Sequence, residues 1–258
     1  MVTAHPDDEV LLAGTIAACA QQGIEVTLVC ATNGGGGAGS TTLGHRGLAE
    51  LRRRELRAAC DALGVHRLEL LEDMAGGDEH LNRQNYAHVL GAHRDCLHAL
   101  LAEVRPDAVV TFGPDGVTGH GTHVMVGRLA DDAASNVADP ARPALLHVAV
   151  TPSQWAEMTE WMAAHPAALA AYQRDVGDNP RVGPPEPELT TVPEEEASVV
   201  VDTTDVVERK RAAIACHASQ GGADGLLGIL AAPSTERFVP VTPVPSALAE
   251  IFAGPMPR

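Results

Sequence analysis

The chain is short of lysine, of aromatic side chains and of positive charge. Lys210 is its one lysine, and Phe, Trp and Tyr together make up 3% of the 258 residues. With 18 basic against 34 acidic residues the net charge is −16, which argues against a nucleic-acid or anionic-membrane partner. A core must then be built from Ala, Val and Leu, and a hydrophobic content of 45% is enough for a sizeable one.

Long apolar runs, a signal sequence and paired cysteines are also missing. No apolar stretch approaches the roughly 20 residues that span a bilayer. Acidic residues arrive by Asp7, without the basic-then-apolar layout of a signal peptide. The five cysteines are scattered and include no CxxC pair. This pattern predicts a cytoplasmic protein and excludes a disulfide framework and a thiolate zinc site.

The first half of the chain alternates short β-branched runs with helical periodicity, which predicts parallel strands joined by crossover helices. After a short first strand ending at Ala4, we expect strands at Glu25–Thr32, His66–Leu71, Asp107–Gly113 and Leu145–Val150. Helices are expected at Glu9–Gln22, Leu48–Leu63, Tyr86–Val104, His123–Ala134 and Asp205–His217. The predicted fold class is therefore α/β, a mostly parallel twisted sheet with helices on both faces.

The C-terminal part is less regular. Arg174–Glu196 is rich in Pro, Gly and Glu, which is typical of a lid or a long excursion, and Val199–Val201 is predicted as an edge strand. No repeat and no linker separates two cores. We expect one domain over residues 1–258, with the core in 1–150 and with the lid and the elements that complete a pocket in 151–258.

Four loops at predicted strand ends hold nearly all the unusual polar residues. They are His5–Glu9, Asn33–Ser40, Asp73–Asp78 and Pro114–His123. In a doubly wound sheet, ligands bind outside the carboxyl ends of the strands, near the point where the strand order reverses. The convergence of these loops predicts an active site at that edge.

The first loop reads His-Pro-Asp-Asp. His5 and Asp8, three residues apart, offer an imidazole and a carboxylate to one face of a cation, with Asp7 beside the metal and unliganded. The alternative is a helix N-terminus, in which Asp7 or Asp8 caps the helix and Glu9 complements its dipole. That alternative leaves His5 and one acid without a role.

The last of the four loops contains a second motif, in which His120 and His123 are also three residues apart. His123 would add a third ligand and complete a site of two histidines and one carboxylate, with positions open to water. The alternative is a pair of loop histidines that serve no metal.

Five segments in this order resemble the LmbE/PIG-L family of zinc-dependent N-acetylglucosaminyl deacetylases. They are AHPDDE at Ala4–Glu9, TNGGGG at Thr32–Gly37, the helical Arg52–Glu55, GHGTH at Gly119–His123 and KRAAIACHASQ at Lys210–Gln220. The matches run over roughly residues 1–130 and 200–220.

The resemblance implies a Rossmann-like fold with one zinc ion per chain, held by His5, Asp8 and His123, with other divalent metals able to substitute. Asp7 would be the general base, and His120 the general acid or oxyanion stabiliser. The implied reaction removes an N-acetyl or other N-acyl group from an amino sugar, or from a small metabolite that carries one. A small molecule is thus the expected partner, and a homo-oligomer is left open.

Four residues are expected on the substrate. The resemblance places Arg52, Asp73 and His217 there, and Asn33 opens the glycine-rich loop that lets the backbone approach a ligand. The alternatives are a solvated helix face for Arg52, a flexible loop for Asn33 and a histidine satisfied in the core for His217.

One departure from the family concerns the second motif, which the family usually writes His-Pro-Asp-His. This chain has Gly121 and Thr122 in the middle, so a hydroxyl replaces the acid that would orient or charge-stabilise the neighbouring histidine. Differently tuned chemistry at His120 is expected. This departure makes a non-catalytic binder of sugar conjugates one alternative function. Within the enzyme interpretation, the alternative is an amidase that cuts a larger acyl group from a sugar conjugate or glycosylated natural product, with the Pro- and Glu-rich segment as the lip of its pocket.

Overall fold

The computed structural model of the chain describes residues 1–37, 40–71, 86–167, 190–222 and 226–246. The predicted substrate residue Asp73 and most of the predicted lid Arg174–Glu196 lie outside these ranges.

The described strands form two hydrogen-bonded sheets that lie side by side, one of three parallel strands and one of four mixed strands. They are β1 (Val2–Thr3), β2 (Thr27–Cys30), β3 (Arg67–Leu70), β4 (Ala108–Phe112), β5 (Ala144–Ala149), β6 (Val199–Asp202) and β7 (Thr235–Pro240). β1, β2 and β3 pair in parallel, as do β4 and β5, whereas β7 runs antiparallel to both β5 and β6. The Thr111 hydroxyl donates to the Val2 carbonyl over 3.1 Å and links β4 to β1. β4 therefore lies beside β1, and the hydrogen-bonded orders on either side are 3-2-1 and 4-5-7-6.

Helices cover the sheet in two layers. The described helices are α1 (Ala13–Gln21), α2 (Ser40–Leu63), α3 (Tyr86–Val104), α4 (Gly121–Ser135), α5 (Pro152–Ala164) and α6 (Val207–Cys216). Short 3₁₀ helices add Asp8–Leu12, Thr204–Val206, Ala218–Gln220 and Leu226–Ala231. α1, α2 and α6 pack together, and α3 packs on α4, which lies against β1 and β4. The described part contains no helix long and apolar enough to cross a bilayer.

Most predicted elements are confirmed, and the differences have local causes. α3 has the predicted bounds, and the expected helix Glu9–Gln22 is a 3₁₀ turn followed by α1. The helix expected at Leu48–Leu63 begins earlier, at Ser40, and is interrupted where Gly44 takes a φ of 69°. α5 and β7 were not predicted. All five cysteines are free thiols, in agreement with their scattered spacing.

The position of the site follows from the strand order. The chain leaves β1 towards β2 and β3, then returns to place β4 on the other side of β1, so the strand order reverses between β1 and β4. Crossover connections leave this point in opposite directions and open a crevice at the carboxyl ends of the strands. His5–Asp8 follows β1, and His120–His123 follows β4. The fold therefore brings both predicted motifs to one crevice.

A buried lysine–carboxylate ion pair lies in the core. The Lys210 ammonium lies 3.0 Å from the Glu236 carboxylate, with 2% and 5% of the two side chains exposed. The same carboxylate accepts hydrogen bonds from the backbone N–H groups of Gly14 and Thr15, both over 2.8 Å. These groups lie in the first turn of α1, where a negative charge is favoured. The pair thus joins α6, β7 and α1.

Candidate metal centre and active site

Asp8 is held from both sides in the crevice. Its Oδ2 accepts the backbone N–H of Ala4 over 3.0 Å and that of His5 over 2.7 Å. Asp7, at the N-cap of the 3₁₀ turn, makes no side-chain capping bond. The helix-capping alternative is therefore not what the HPDD carboxylates do. Asp8 instead faces the two histidines.

The donor groups of His5, Asp8 and His123 lie close together, and we call this set of three side chains the triangle. His5 Nδ1 is 3.4 Å from Asp8 Oδ2, His123 Nε2 is 3.2 Å from Asp8 Oδ1, and the two nitrogens are 3.3 Å apart. Ligands at 2.0–2.1 Å around a tetrahedral zinc ion lie about 3.4 Å from one another. The donor types and these separations therefore fit one zinc ion.

The ring of His123 is oriented for metal binding by its surroundings. Its Nδ1 lies 3.0 Å from the Gly116 carbonyl oxygen, so this nitrogen carries a proton, and Nε2 is the atom that faces His5 and Asp8. Phe112 at the end of β4 stacks on the ring, with centroids 4.3 Å apart and planes at 11°. The second motif thus contributes an imidazole in a fixed orientation.

His120 belongs to a looser cluster. Its ring centroid is 4.9 Å from those of His5 and His123, and the nitrogens of the three histidines all lie within 4.8 Å of one another. The carboxylate of Asp8 is closer, with one oxygen 3.4 Å from His5 Nδ1 and the other 3.2 Å from His123 Nε2. These separations are near the spacing of ligands around zinc.

The two adjacent carboxyl groups differ in their affinity for protons. The pKa of Asp7 is raised well above its usual range, first by burial and then by the like charges of Asp8 and Glu9. Burial acts on Asp8 as well, but the charges and hydrogen bonds of His123 and His5 outweigh it and hold the pKa of Asp8 well below its usual range. Asp8 stays ionised, as a metal ligand must, and Asp7 is the better proton acceptor.

Residues from the C-terminal part complete the site. The Gln220 amide donates to Asp7 Oδ2, and the Asp7 N–H donates to Glu9 Oε2 over 3.0 Å. Glu9 Oε1 is in turn hydrogen-bonded to His217 Nε2. Our sequence reasoning gave Glu9 no role beyond the helix dipole, since nothing local reveals a partner 208 positions away.

The predicted substrate residues lie in different places. A polar pocket of about 320 Å³ opens beside the triangle and is lined by His5, Asp7, Thr32, Asn33, Gly34, Gly35, Gly36, Gly37, Arg52, His120 and Thr122. Asn33 and Arg52 line this pocket, and their contact with a substrate stays a prediction. His217 is 0% exposed and is hydrogen-bonded to Glu9 through Nε2, whereas its Nδ1 has no hydrogen-bond partner among the described residues.

Arg52 does not lie on a solvated helix face. Its side chain is 8% exposed, and its Nη1 donates to the Gly34 carbonyl over 3.2 Å. Its Nε has no hydrogen-bond partner among the described residues. An unsatisfied buried guanidinium N–H is costly without a ligand, so Arg52 is suited to binding a polar group in the pocket.

A family model decides the classification. The model described as "PIG-L: GlcNAc-PI de-N-acetylase" matches residues 1–134, which hold the HPDD loop, the glycine-rich loop and both histidines of the second motif. The chain belongs to the PIG-L family. The predicted family membership is confirmed.

Curated relatives extend the PIG-L match into the C-terminal half. The "1D-myo-inositol 2-acetamido-2-deoxy-alpha-D-glucopyranoside deacetylase" of Thermobifida fusca is 31% identical over 249 residues, covering 85% of this chain and 82% of its own length. A "Probable N-acetyl-alpha-D-glucosaminyl L-malate deacetylase 2" of Bacillus cereus is 33% identical over 165 residues, 62% of this chain and 71% of its own. The prediction of an enzyme that hydrolyses linear amides is confirmed at this level.

Solved structures share the PIG-L chain's fold over nearly its whole length. The N,N'-diacetylchitobiose deacetylase from Pyrococcus horikoshii gives a TM-score of 0.57 at 22% identity, covering 95% of this chain and 86% of that one. GalB, the 4-carboxy-2-hydroxymuconate hydratase from Pseudomonas putida KT2440, gives 0.60 at 18% identity, covering 94% and 95%. At such identities the likeness establishes the fold, and the predicted α/β class is confirmed.

Proposed function

We propose that this PIG-L chain is a zinc-dependent hydrolase that removes the N-acetyl group from a small molecule containing N-acetylglucosamine. The observation that carries the proposal is the triangle formed by His5, Asp8 and His123 beside a polar pocket. The names of the two relatives support the substrate class, because both describe an N-acetylglucosamine unit joined to a small polar group.

His5, Asp8 and His123 would hold the zinc ion. When bound, zinc supplies a Lewis acid that makes water nucleophilic near neutral pH and polarises a carbonyl. The chain's own residues do the remaining work. The carboxylate of Asp7 lines the pocket and accepts the proton of the water that attacks the amide carbon.

His120 is the proposed proton donor of the reaction. It precedes the first turn of α4 and lines the same pocket as Asp7. From there it donates a proton to the nitrogen of the departing amine, which amide cleavage requires.

Arg52 and Asn33, which line the same pocket, orient the sugar. Residues 151–258 complete the site through the hydrogen bond from Gln220 to Asp7.

Metal analysis combined with an amine-release assay tests this function. Purified protein is expected to contain about one zinc ion per chain and to release a primary amine from N-acetylglucosaminyl inositol or N-acetylglucosaminyl malate. Because a Lewis acid contributes several kcal/mol to such reactions, chelation should lower the rate at least about 10²-fold, and added zinc should restore it.

The assay also separates the alternatives. Full activity in a folded, metal-free preparation would contradict the zinc site. Tight binding of the sugar conjugate without amine release would favour the non-catalytic binder, and release only from conjugates with larger acyl groups would favour the amidase. His120→Ala, which keeps the triangle, is expected to retain zinc, whereas His123→Ala is expected to lose it.

The glycine-rich loop gives a second prediction, on substrate affinity. Gly34 has a φ of +69°, and an added Cβ would lie 2.9 Å from Arg52 Cδ and 3.0 Å from Pro6 Cδ. Gly34→Ala must strain the backbone by about 1–2 kcal/mol or shift Arg52. We expect KM to rise about fivefold or more with a smaller change in kcat, measured by steady-state kinetics.

Gly47→Ala is the matched control for this prediction. Gly47 lies in α2 outside the pocket, and its added Cβ would make only an ordinary contact, 3.6 Å from the Leu43 Cβ. Its KM should stay within about twofold of the wild type. Equal changes in the two variants would show that Arg52 and its loop do not bind the substrate.

A further inference from the structure

We infer that the C-terminal segment His217–Gln220, which we call the clamp, holds Asp7 in a strained backbone conformation and fixes its carboxylate. Gln220, and Glu9 through His217, are then positioning residues for the base. The part of this inference that concerns catalysis rests on the proposed function, and the part that concerns strain does not.

The backbone of Asp7 needs such support. Asp7 has a φ of 145° and a ψ of −20°, a region that L side chains avoid because of steric clashes. A residue stays there only where its surroundings over-determine its conformation, and such residues cluster at functional sites. The side chain of Asp7 lines the pocket, so Asp7 lies where such strained residues are usually found.

Every polar group of the Asp7 backbone, as well as its carboxylate, has a partner. The N–H donates to Glu9 Oε2 over 3.0 Å, and the carbonyl accepts the Val10 N–H over 3.2 Å. Asp7 Oδ2 accepts from the Gln220 amide. A carboxylate can only accept, so the amide nitrogen of Gln220 must be the atom that faces it. The direction in which the carboxylate points is thus set from the clamp.

Glu9 transmits the position of the clamp to the backbone of Asp7. Glu9 and His217 are both 0% exposed and are bonded to each other. A buried carboxylate is costly without its partner, so Glu9 cannot turn away from the Asp7 N–H without losing its contact with His217. His217 ends α6, which fixes the ring to the helix layer.

The clamp is itself anchored to α2. The backbone N–H of Ser219 donates to Glu55 Oε1 over 2.7 Å, and its hydroxyl donates to Glu55 Oε2 over 2.6 Å. Glu55 lies one helical turn after Arg52 on α2. The same helix therefore places the clamp behind Asp7 and the guanidinium of Arg52 in the pocket. One helix, α2, therefore positions both the residues behind Asp7 and the Arg52 side chain.

Arg209 holds α6 against the two neighbouring helices. Its guanidinium donates to the Leu63 carbonyl over 2.7 Å and to the Ala17 carbonyl over 3.2 Å. The first carbonyl lies at the end of α2, where a cation is favoured, and the second lies in the middle of α1. The clamp thus starts from a helix that is bonded to both partners.

A double-mutant cycle tests the action of Gln220 through Asp7. Gln220→Met keeps the length of the side chain and removes the donor. We expect kcat to fall about 10–100-fold while KM and zinc content stay within about twofold. In an Asp7→Asn background the same change should have no further effect, because the group that Gln220 positions has already been disabled.

Two more variants serve as a second test and as a control for the double-mutant cycle. Gln220→Ala should resemble Gln220→Met, and Gln21→Ala, an exposed glutamine on α1, should match the wild type. Additive losses in the cycle would overturn the positioning role. A rise in KM without a fall in kcat would also overturn it, since it would make Gln220 a substrate contact.

Thermal unfolding tests the strain without any assay of activity. Glycine adopts the backbone angles of Asp7 freely, so Asp7→Gly is expected to melt about 2–4 °C above Asp7→Ala. Asp61, exposed within α2, is the control, where glycine should melt below alanine. If Asp7→Gly melts at or below Asp7→Ala, Asp7 is not strained and the inference fails. If wild-type protein releases no amine yet the strain appears, only the proposed function fails.

Discussion

Asp7→Asn is expected to lower kcat by about 10²–10⁴-fold, the usual effect of losing a general base. The amide keeps the shape of the side chain but has no affinity for the proton of the attacking water. Zinc should remain at about one ion per chain, because His5, Asp8 and His123 are unchanged and their triangle does not include Asp7. Steady-state kinetics and metal analysis on the same preparation measure both effects.

Asp8→Asn is the matched substitution at the neighbouring carboxylate. It removes a charge that faces both histidines, so zinc and activity should be lost together. Loss of zinc from Asp7→Asn with zinc retained in Asp8→Asn would show that the two roles are the reverse of those proposed.

Lys210→Met is expected to lower the free energy of unfolding by about 3–5 kcal/mol, because it leaves the Glu236 carboxylate buried without its countercharge. The pair is 2% and 5% exposed, so solvent offers little compensation. Urea denaturation monitored by circular dichroism measures the change. The zinc triangle lies elsewhere, and kcat of the folded fraction should change little.

Two variants control for this effect. Adding Glu236→Gln removes the orphaned charge while leaving an oxygen for the Gly14 and Thr15 N–H groups, so the double variant should recover at least about 1 kcal/mol. Arg211→Met breaks an exposed pair with Glu208 and should cost less than about 1 kcal/mol. If Lys210→Met costs no more than Arg211→Met, the buried pair does not stabilise the fold.

The two metal motifs could be predicted because their information is local. His5 and Asp8 follow one strand, His120 and His123 follow another, and parallel strands deliver their carboxyl ends to the same edge. The alternation of strands and helices could also be predicted, because hydrophobic periodicity is a local property of the sequence. The order of the strands, which puts β1 beside β4, then made the two loops meet.

The support behind Asp7 could not be predicted from the sequence. Glu9 contacts His217 across 208 positions, and Gln220 contacts Asp7 across 213. A buried acid near a helix start looks the same in the sequence whether it complements a dipole or binds a histidine. The family resemblance placed His217 in the pocket, whereas packing puts it behind the base.

Of the two elements that were not predicted, α5 begins with a recognisable sequence pattern, whereas β7 has none. Thr151 and Gln154 form a capping box with Pro152 at the first helical position, a pattern that could have been recognised. β7 gains its structure from antiparallel pairing with β5 and β6, which are distant in sequence. Its run of Thr235–Pro240 contains charges and a terminal proline that hide the strand.

The ion pair in the core also determines how the molecule responds to chemical labelling. Because Lys210 is the one lysine of these 258 residues and is almost wholly buried, the folded surface within the described ranges offers no lysine amine to an acylating reagent. Lysine labelling can then proceed only when α6 and β7 separate. The rate of modification at Lys210, measured by mass spectrometry, therefore reports how often the core opens.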